Sequence, residues 1–279
     1  MTETLKPKAV ALLDDFGPLG EQIRAAPSIG LFLDFDGTIS RIVPHPADAE
    51  MDANIHALLE RVAARPDVSL AVVSGRALAD IRERAGLKDV IYVGNHGLEI
   101  EAGETRFREP QAEALRRELK SISLQLKLAL ADIEGLEIED KGLTLSVHFR
   151  RVNQELHDWI SKVAFDAVER SRSFVARMGK KVVEVRPQIA WNKGHAVKWI
   201  CREVLPGSAL PIYIGDDATD EDAFAAIPDG ITIKVGKEGC ATEAQYILAD
   251  VSAVGRFLTW LDHTKPHHAS FANAQRAGR

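Results

Sequence analysis

The sequence predicts an α/β fold: a parallel-sheet core covered by helices, split by an inserted α+β domain. Three observations carry this. Short apolar runs alternate with amphipathic stretches from residue 29 to residue 97, the rhythm of parallel βαβ units with helices on both faces. From about 106 to 188 that rhythm gives way to long helical stretches and alternating strand pairs. After residue 189 it resumes. The expected domains are a core over 1–105 and 189–262 and an insert over 106–188, with a polar, aperiodic and disordered tail over 263–279.

Each element has its own signal. Residues 9–26 read as an amphipathic helical lead-in, and residues 29–35 as the first strong strand. "NIHALLERVAAR" (54–65) repeats apolar residues at helical spacing, and "VSLAVVSGR" (68–76) is a second apolar strand ending in Ser-Gly. "LADIRERAG" is a helix closed by Gly86, and "DVIYVGNHG" (89–97) a third strand with a polar end. In the insert, residues 109–133 read as one long charged helix and 136–150 as an antiparallel pair. A second helix is expected near 153–170 and a hairpin over 174–187. Beyond it, "NKGHAVKWICREV" is a helix, "LPIYIGDD" a strand, "TDEDAFAAI" a helix and "GITIKVG" a strand.

Composition narrows the function. With 279 residues, 46% of them hydrophobic, the chain can bury a substantial core. A net charge of -6, with basic residues scattered, gives no electrostatic footprint for nucleic acid. No apolar run reaches the roughly 20 residues a membrane span needs, and the N-terminus lacks a signal-peptide pattern. A soluble cytoplasmic protein is expected. Cys201 and Cys240 have no metal-type spacing, so neither a disulfide framework nor a structural zinc is expected.

The chemistry gathers just past the strand ends, which converge on one crevice in an open parallel sheet. "LFLDFDGTIS" (31–40) closes an apolar strand with two carboxylates. Asp34 and Asp36 are two residues apart and share a side of an extended segment. Held that close they repel, and burying them costs several kcal/mol each (roughly). A divalent cation removes the conflict, and Mg²⁺ favours hard carboxylate oxygens. "GDDATDEDAF" (215–224) adds Asp216 or Asp217 to complete the site, with Asp220 as a ligand or as the holder of a bound water. A carboxylate beside Mg²⁺ is also a nucleophile toward phosphorus. Lys193, opening a helix, is suited to neutralising phosphoryl oxygens. The Ser74 hydroxyl and the backbone N–H groups of Gly75 and Arg76 are suited to holding one. The plainer alternatives are a helix N-cap for Ser74 and acids favoured at a helix N-terminus for residues 220–222.

Taken together, D-x-D-G-T (34–38), Ser74, Lys193 and G-D-D-x-x-D (215–220) resemble the motifs of the haloacid dehalogenase superfamily of phosphatases, in the same order. The insert has the position of that superfamily's C2-type cap. Within it the chain looks most like the trehalose-6-phosphate phosphatase family. The supporting stretches are "GNHGLE", "EDKGLTLSVHFR", "RMGKKVVEVRP", "WNKGHA" and "GDDATDEDAF", and the likeness covers about 29–262. Asn192 stands where the family commonly has Asp, and Phe149 where it commonly has Tyr.

The resemblance implies a Rossmann-like core and hydrolysis of trehalose 6-phosphate through an aspartyl-phosphate. Asp34 would attack, and Asp36 would protonate the leaving sugar oxygen and then activate water. Mg²⁺ would sit on Asp34, the Asp36 carbonyl and Asp216, with Asp217 and Asp220 as further candidates. Ser74 and Lys193 would hold the phosphoryl group, and Thr38 would orient the loop. Glu139, Lys141, Arg150, Arg177, Lys180 and Glu184 of the cap, with Asn95 and His96 of the core, would read the sugar. The cap would close about hinges near 104–109 and 186–191. A trehalose-6-phosphate synthase is the implied functional neighbour. Open alternatives are a phosphatase for sucrose 6-phosphate or mannosyl-3-phosphoglycerate, and a catalytically silent sugar-phosphate sensor.

Overall fold

The computed structural model describes residues 9–12, 16–43 and 45–264. The chain runs β1 (Val10–Ala11), α1 (Gly17–Ala25), β2 (Ser28–Asp34), α2 (Ala53–Ala63), β3 (Val68–Val73), α3 (Leu78–Ala85), β4 (Ile91–Gly94), β5 (Glu99–Ala102) and β6 (Thr105–Arg108). Then come α4 (Pro110–Ala114), α5 (Arg116–Ala129), β7 (Glu137–Asp140), β8 (Leu145–His148), α6 (His157–Glu169), β9 (Phe174–Gly179) and β10 (Val182–Pro187). The last part is α7 (Lys193–Glu203), β11 (Ala209–Gly215), α8 (Glu221–Ala226), β12 (Ile231–Val235), β13 (Tyr246–Leu248) and α9 (Val251–His263).

The unbroken apolar run of β2 belongs in the middle of a sheet covered on both faces. It lies there, in a nine-stranded sheet of order β1-β13-β12-β11-β2-β3-β4-β5-β6. Its neighbours β11 and β3 are both parallel to it. Side-chain alternation then sorts the core. Leu31 and Leu33 pack with the face covered by α2 and α9, including Leu59 and Phe257. Phe32 packs with the face covered by α7 and α8, including Val197 and Phe224. The insert is a second, antiparallel sheet of order β7-β8-β10-β9. Leu119, Ile122 and Leu126 of α5 and Ile160, Ala164 and Val168 of α6 seal one face of it against Val147 and Val183. A small apolar joint of Leu98, Ala112 and Leu143, with Ile189 and Trp191, lies between the sheets.

The structure departs from the sequence reading in five places. The lead-in is not one helix: Val10 and Ala11 pair with β13, and α1 starts only at Gly17. The helix expected over 109–133 is two, α4 and α5, which meet at Leu115. The β5–β6 hairpin went unseen, and it joins the large sheet antiparallel, so the boundary expected at 106 falls inside β6. Strand β13 and helix α9 were also unassigned; α9 buries an apolar stripe of Val254, Phe257, Leu258 and Leu261. His263 closes α9, and the rest of the expected tail, from 265, lies outside the described residues. Among the described residues no helix is long and apolar enough to cross a membrane.

Candidate active site

Strand β2 ends at Asp34, and the chain must turn there at once. The backbone N–H groups of Thr38, Ile39 and Ser40 all donate to the Phe35 carbonyl. Gly37 sits at φ +91°, and a Cβ there would come within 2.2 Å of Asp216 Oδ2. Only glycine lets the Asp216 carboxylate approach so closely. Across from this turn, Asn192 caps α7 by accepting from His195 N–H at 3.1 Å. Asn is among the residue types that cap a helix N-terminus well. The cap makes Lys193 the first helical residue.

Lys193 is buried between two acids. Its Nζ donates to Asp34 Oδ1 at 2.6 Å and to Asp220 Oδ1 at 2.7 Å. Asp220 is fully buried and takes two further donors, Tyr213 Oη–H at 2.7 Å and Asp217 N–H at 2.9 Å. Burial, with Asp220 and Asp216 beside it, raises the Asp34 pKa well above the usual carboxylate value, although Lys193 opposes this. Seen from Lys193, Asp220 and Asp34 together outweigh burial and hold the ammonium charged. The two directions describe one site: a single ammonium shared by too many carboxylates.

The missing positive charge has a place. Carboxylate oxygens of Asp34, Asp216 and Asp220 lie within 4.8 Å of one another. Burial, with Asp220 and Asp217 nearby, pushes the Asp216 pKa up to about 7. Asp216 Oδ1 is buried and has no hydrogen-bond partner among the described residues. An all-oxygen cluster with an orphaned carboxylate oxygen fits a hard divalent cation such as Mg²⁺. Of the two acids left open by the sequence, Asp216 enters this cluster. Asp217 does not: it is exposed, and its carboxylate accepts from the next residue's N–H at 2.6 Å. The Asp36 side chain is outside the cluster too. Arg76 grips it with both Nε and Nη2, each at 2.7 Å, and also reaches Asp80 at 3.1 Å.

The remaining wall comes from the ends of β3 and β4 and from the insert. Ser74 is buried, and its Oγ accepts from Arg76 N–H at 3.1 Å. Thr38 is fully buried with its Oγ1 unpartnered among the described residues. Lys141 of the insert donates to the Gly75 carbonyl at 3.2 Å. His148 Nε2 lies 3.0 Å from Glu139 Oε2. Against burial, which raises it, His148 and Lys141 hold Glu139 below the usual carboxylate range. Glu184 is likewise held down, against burial, by Arg186 and Lys141, and Arg186 donates to it directly. His96, 3.6 Å from Glu184, is kept neutral by burial and by the surrounding cations, Arg186 first. Catalytic-side and insert residues, from Asp34 to Glu184, thus line one cavity of about 240 Å³.

Three expected sugar contacts fall elsewhere. Asn95 is fully buried with every side-chain atom committed. It donates to Glu99 at 2.7 Å and to the Lys141 carbonyl at 3.0 Å, and accepts from Thr144 at 2.6 Å. It therefore fastens the insert to the large sheet, with both amide hydrogens already donated. Arg177 is exposed and lines an adjoining cavity of about 500 Å³ instead. Lys180 sits in the turn between β9 and β10, where strand alternation no longer applies, so its even spacing from Glu184 does not bring them together. It lines a separate pocket of about 120 Å³ with Arg150, which also reaches the main cavity. His148 and Arg186 were overlooked. Arg186 had a legible signal, two residues from Glu184 on the same strand.

The chain is similar to known proteins over most of its length. The family model described as Trehalose-phosphatase matches residues 32–252. The chain is similar to a trehalose-phosphate phosphatase of Mycobacterium marinum, 36% identical over 239 residues, which are 83% of this chain and 60% of that protein. It thus spans about three-fifths of that relative's length. Among solved structures, a trehalose-6-phosphate phosphatase related protein superposes with a TM-score of 0.73 at 26% identity, over 84% of this chain and 96% of that one. The C-terminal domain of Candida albicans trehalose-6-phosphate phosphatase shares the fold, with a TM-score of 0.75 at 22% identity over 91% and 98% of the two chains.

Proposed function

The chain belongs to the trehalose-phosphatase family, and from that premise we propose that it hydrolyses trehalose 6-phosphate to trehalose and phosphate through an aspartyl-phosphate. The observation that carries this is the cavity in which Asp34, Lys193 and Ser74 face Glu139, Lys141 and Glu184. The first three suit a phosphoryl group. The others are charged groups of both signs, suited to a ring of hydroxyls.

Asp34 attacks phosphorus and releases the sugar oxygen. Lys193 neutralises charge on the phosphoryl oxygens, and the Ser74 hydroxyl holds one of them. Asp36 gives the leaving oxygen its proton and then takes one from the water that opens the phosphoaspartate. To carry a proton, Asp36 must release one of its two bonds from Arg76. Asp34, Asp216 and the Asp36 carbonyl would hold Mg²⁺, which when bound offsets the negative charge of the phosphoryl group. The insert acts as the cap over 109–188: the Asn95 fastening and the Lys141 bond to Gly75 keep water out during transfer. A synthase that makes the phosphorylated disaccharide would supply the substrate.

Two expected results test the sugar and metal readings. Glu184→Ala should lower kcat/KM for trehalose 6-phosphate at least about ten-fold more than for an aryl phosphate. Equal losses on both would remove Glu184 from the sugar-reading set. Mg²⁺ should raise the melting temperature by binding the native state. Asp216 must lose its proton to ligate, and its pKa is held up to about 7. The Mg²⁺-induced rise should therefore grow between about pH 5 and about pH 8. An acid with a raised native pKa costs stability as pH climbs from the unfolded toward the folded value, so the metal-free protein should soften between about pH 4 and about pH 7. A rise independent of pH, or absent, would sink the metal assignment, as would full turnover after thorough chelation.

A further inference from the structure

We propose that Tyr213 is a positioning residue for phosphoryl transfer: its hydroxyl shares Asp220 with Lys193 and thereby keeps the ammonium on Asp34. The proposal rests on the reading that Lys193 serves transfer from Asp34.

Tyr213 lies in β11, directly beside β2, and is fully buried. Its ring has ordinary packing duties. It stacks on Phe32 at 6.3 Å and meets Phe224 edge-on at 5.7 Å. A phenylalanine would serve both contacts. The hydroxyl is the exception, a polar atom inside the apolar run "PIYI", and such a group is costly to bury unless it is bonded. Here it donates to Asp220 Oδ1 at 2.7 Å, the same oxygen that accepts Lys193 Nζ at 2.7 Å. Asp220 is folded back onto the strand to receive it. A Cβ on Gly215 would lie 2.3 Å from the Asp220 carboxyl carbon, so the strand end is left bare for this carboxylate.

The consequence follows from sharing. Lys193 lies almost midway between its two acids, 2.6 Å from Asp34 and 2.7 Å from Asp220. Asp220 is inaccessible to water, so each donor it loses must be made up by those that remain. Take away the phenol and Oδ1 keeps Lys193 alone. The ammonium is then drawn toward Asp220, away from Asp34 and from the oxygens it must neutralise. Tyr213 touches no reacting atom; it sets where Lys193 rests.

Tyr213→Phe removes the hydroxyl and keeps the ring. The expected result is a fall in kcat of about ten-fold with KM within about two-fold, and about ten-fold weaker binding of orthovanadate, a mimic of the transferring phosphoryl group. Phe224→Leu loosens the same packing and keeps the backbone bond from Phe224 N–H to the Asp220 carbonyl, with no change at the Asp220 carboxylate. It should lower the melting temperature and leave kcat within about two-fold. 3-Fluorotyrosine at 213 restores the hydroxyl and should bring kcat back to within about three-fold of the parent. In a protein that turns over, parental kcat in Tyr213→Phe overturns the proposal, as does an equal kcat loss in Phe224→Leu. A parent that releases no phosphate from any sugar phosphate overturns the functional reading, and this proposal with it.

Discussion

Asp34→Asn should abolish turnover, lowering kcat at least about a thousand-fold, while the protein stays folded. The amide keeps the shape of the carboxylate and can still accept from Lys193, but it is not a nucleophile toward phosphorus. Folding should not suffer, because the wild-type charge is held in place against its surroundings. Burial and the nearby Asp220 and Asp216 all press Asp34 toward the neutral form, and Lys193 is what resists them. Removing that charge relieves repulsion within the acid cluster and leaves Lys193 paired with Asp220. The check is phosphate release beside thermal denaturation. Near-normal kcat in Asp34→Asn would rule out the covalent route. Inactivity accompanied by unfolding would mean that Asp34 is a structural partner of Lys193 first.

Lys193→Met should lose activity and stability together. Methionine matches the length of the stem but leaves Asp34 and Asp220 buried with no counter-charge. Breaking a buried pair by removing one partner costs about 3–5 kcal/mol, a large share of the total stability of an ordinary domain. Asp34 would then keep its proton and lose its nucleophilicity. Two readouts separate this variant from Asp34→Asn: both are inactive, but only Lys193→Met should melt far below the parent. A Lys193→Met protein with the parent's melting temperature would mean that the Asp34–Lys193–Asp220 arrangement carries little of the fold.

These contrasts mark what the sequence discloses and what it hides. The acids at the end of β2 and β11, and the lysine opening α7, are legible because a strand that buries both faces has no other reason to end in charge. Asp34 and Lys193 are 159 positions apart, yet the strand-end rule brings them to one crevice. The choice between Asp216 and Asp217 is not legible, since both lie past the strand in a turn, where alternation does not say which one faces the site. Asn95 entered as a sugar contact only through the family resemblance. Its three partners are Glu99, Lys141 and Thr144, the last two in the insert, and only the docked insert reveals that both its amide hydrogens are already donated. Lys180 lies in the turn between β9 and β10, where strand alternation does not say which way a side chain faces. Tyr213 hides in the other direction, its hydroxyl lost in a run that reads as plain core. The insert's α4–α5 break and the β5–β6 hairpin are short, and their residues satisfy helix or strand patterns only over a few positions.

The measurement that bears most directly on the proposed function is phosphate release from a panel of sugar phosphates, with and without Mg²⁺. The panel should hold trehalose 6-phosphate, sucrose 6-phosphate, glucose 6-phosphate, mannose 6-phosphate and glycerol phosphate. The expected result is Mg²⁺-dependent release with a strong preference for trehalose 6-phosphate. Broad, weak release would keep the phosphatase chemistry of Asp34 and Lys193 but contradict the sugar-reading role of Glu139, Lys141 and Glu184. No release from any member, with metal present, would contradict the enzyme reading and favour a sensor that binds a sugar phosphate without cleaving it.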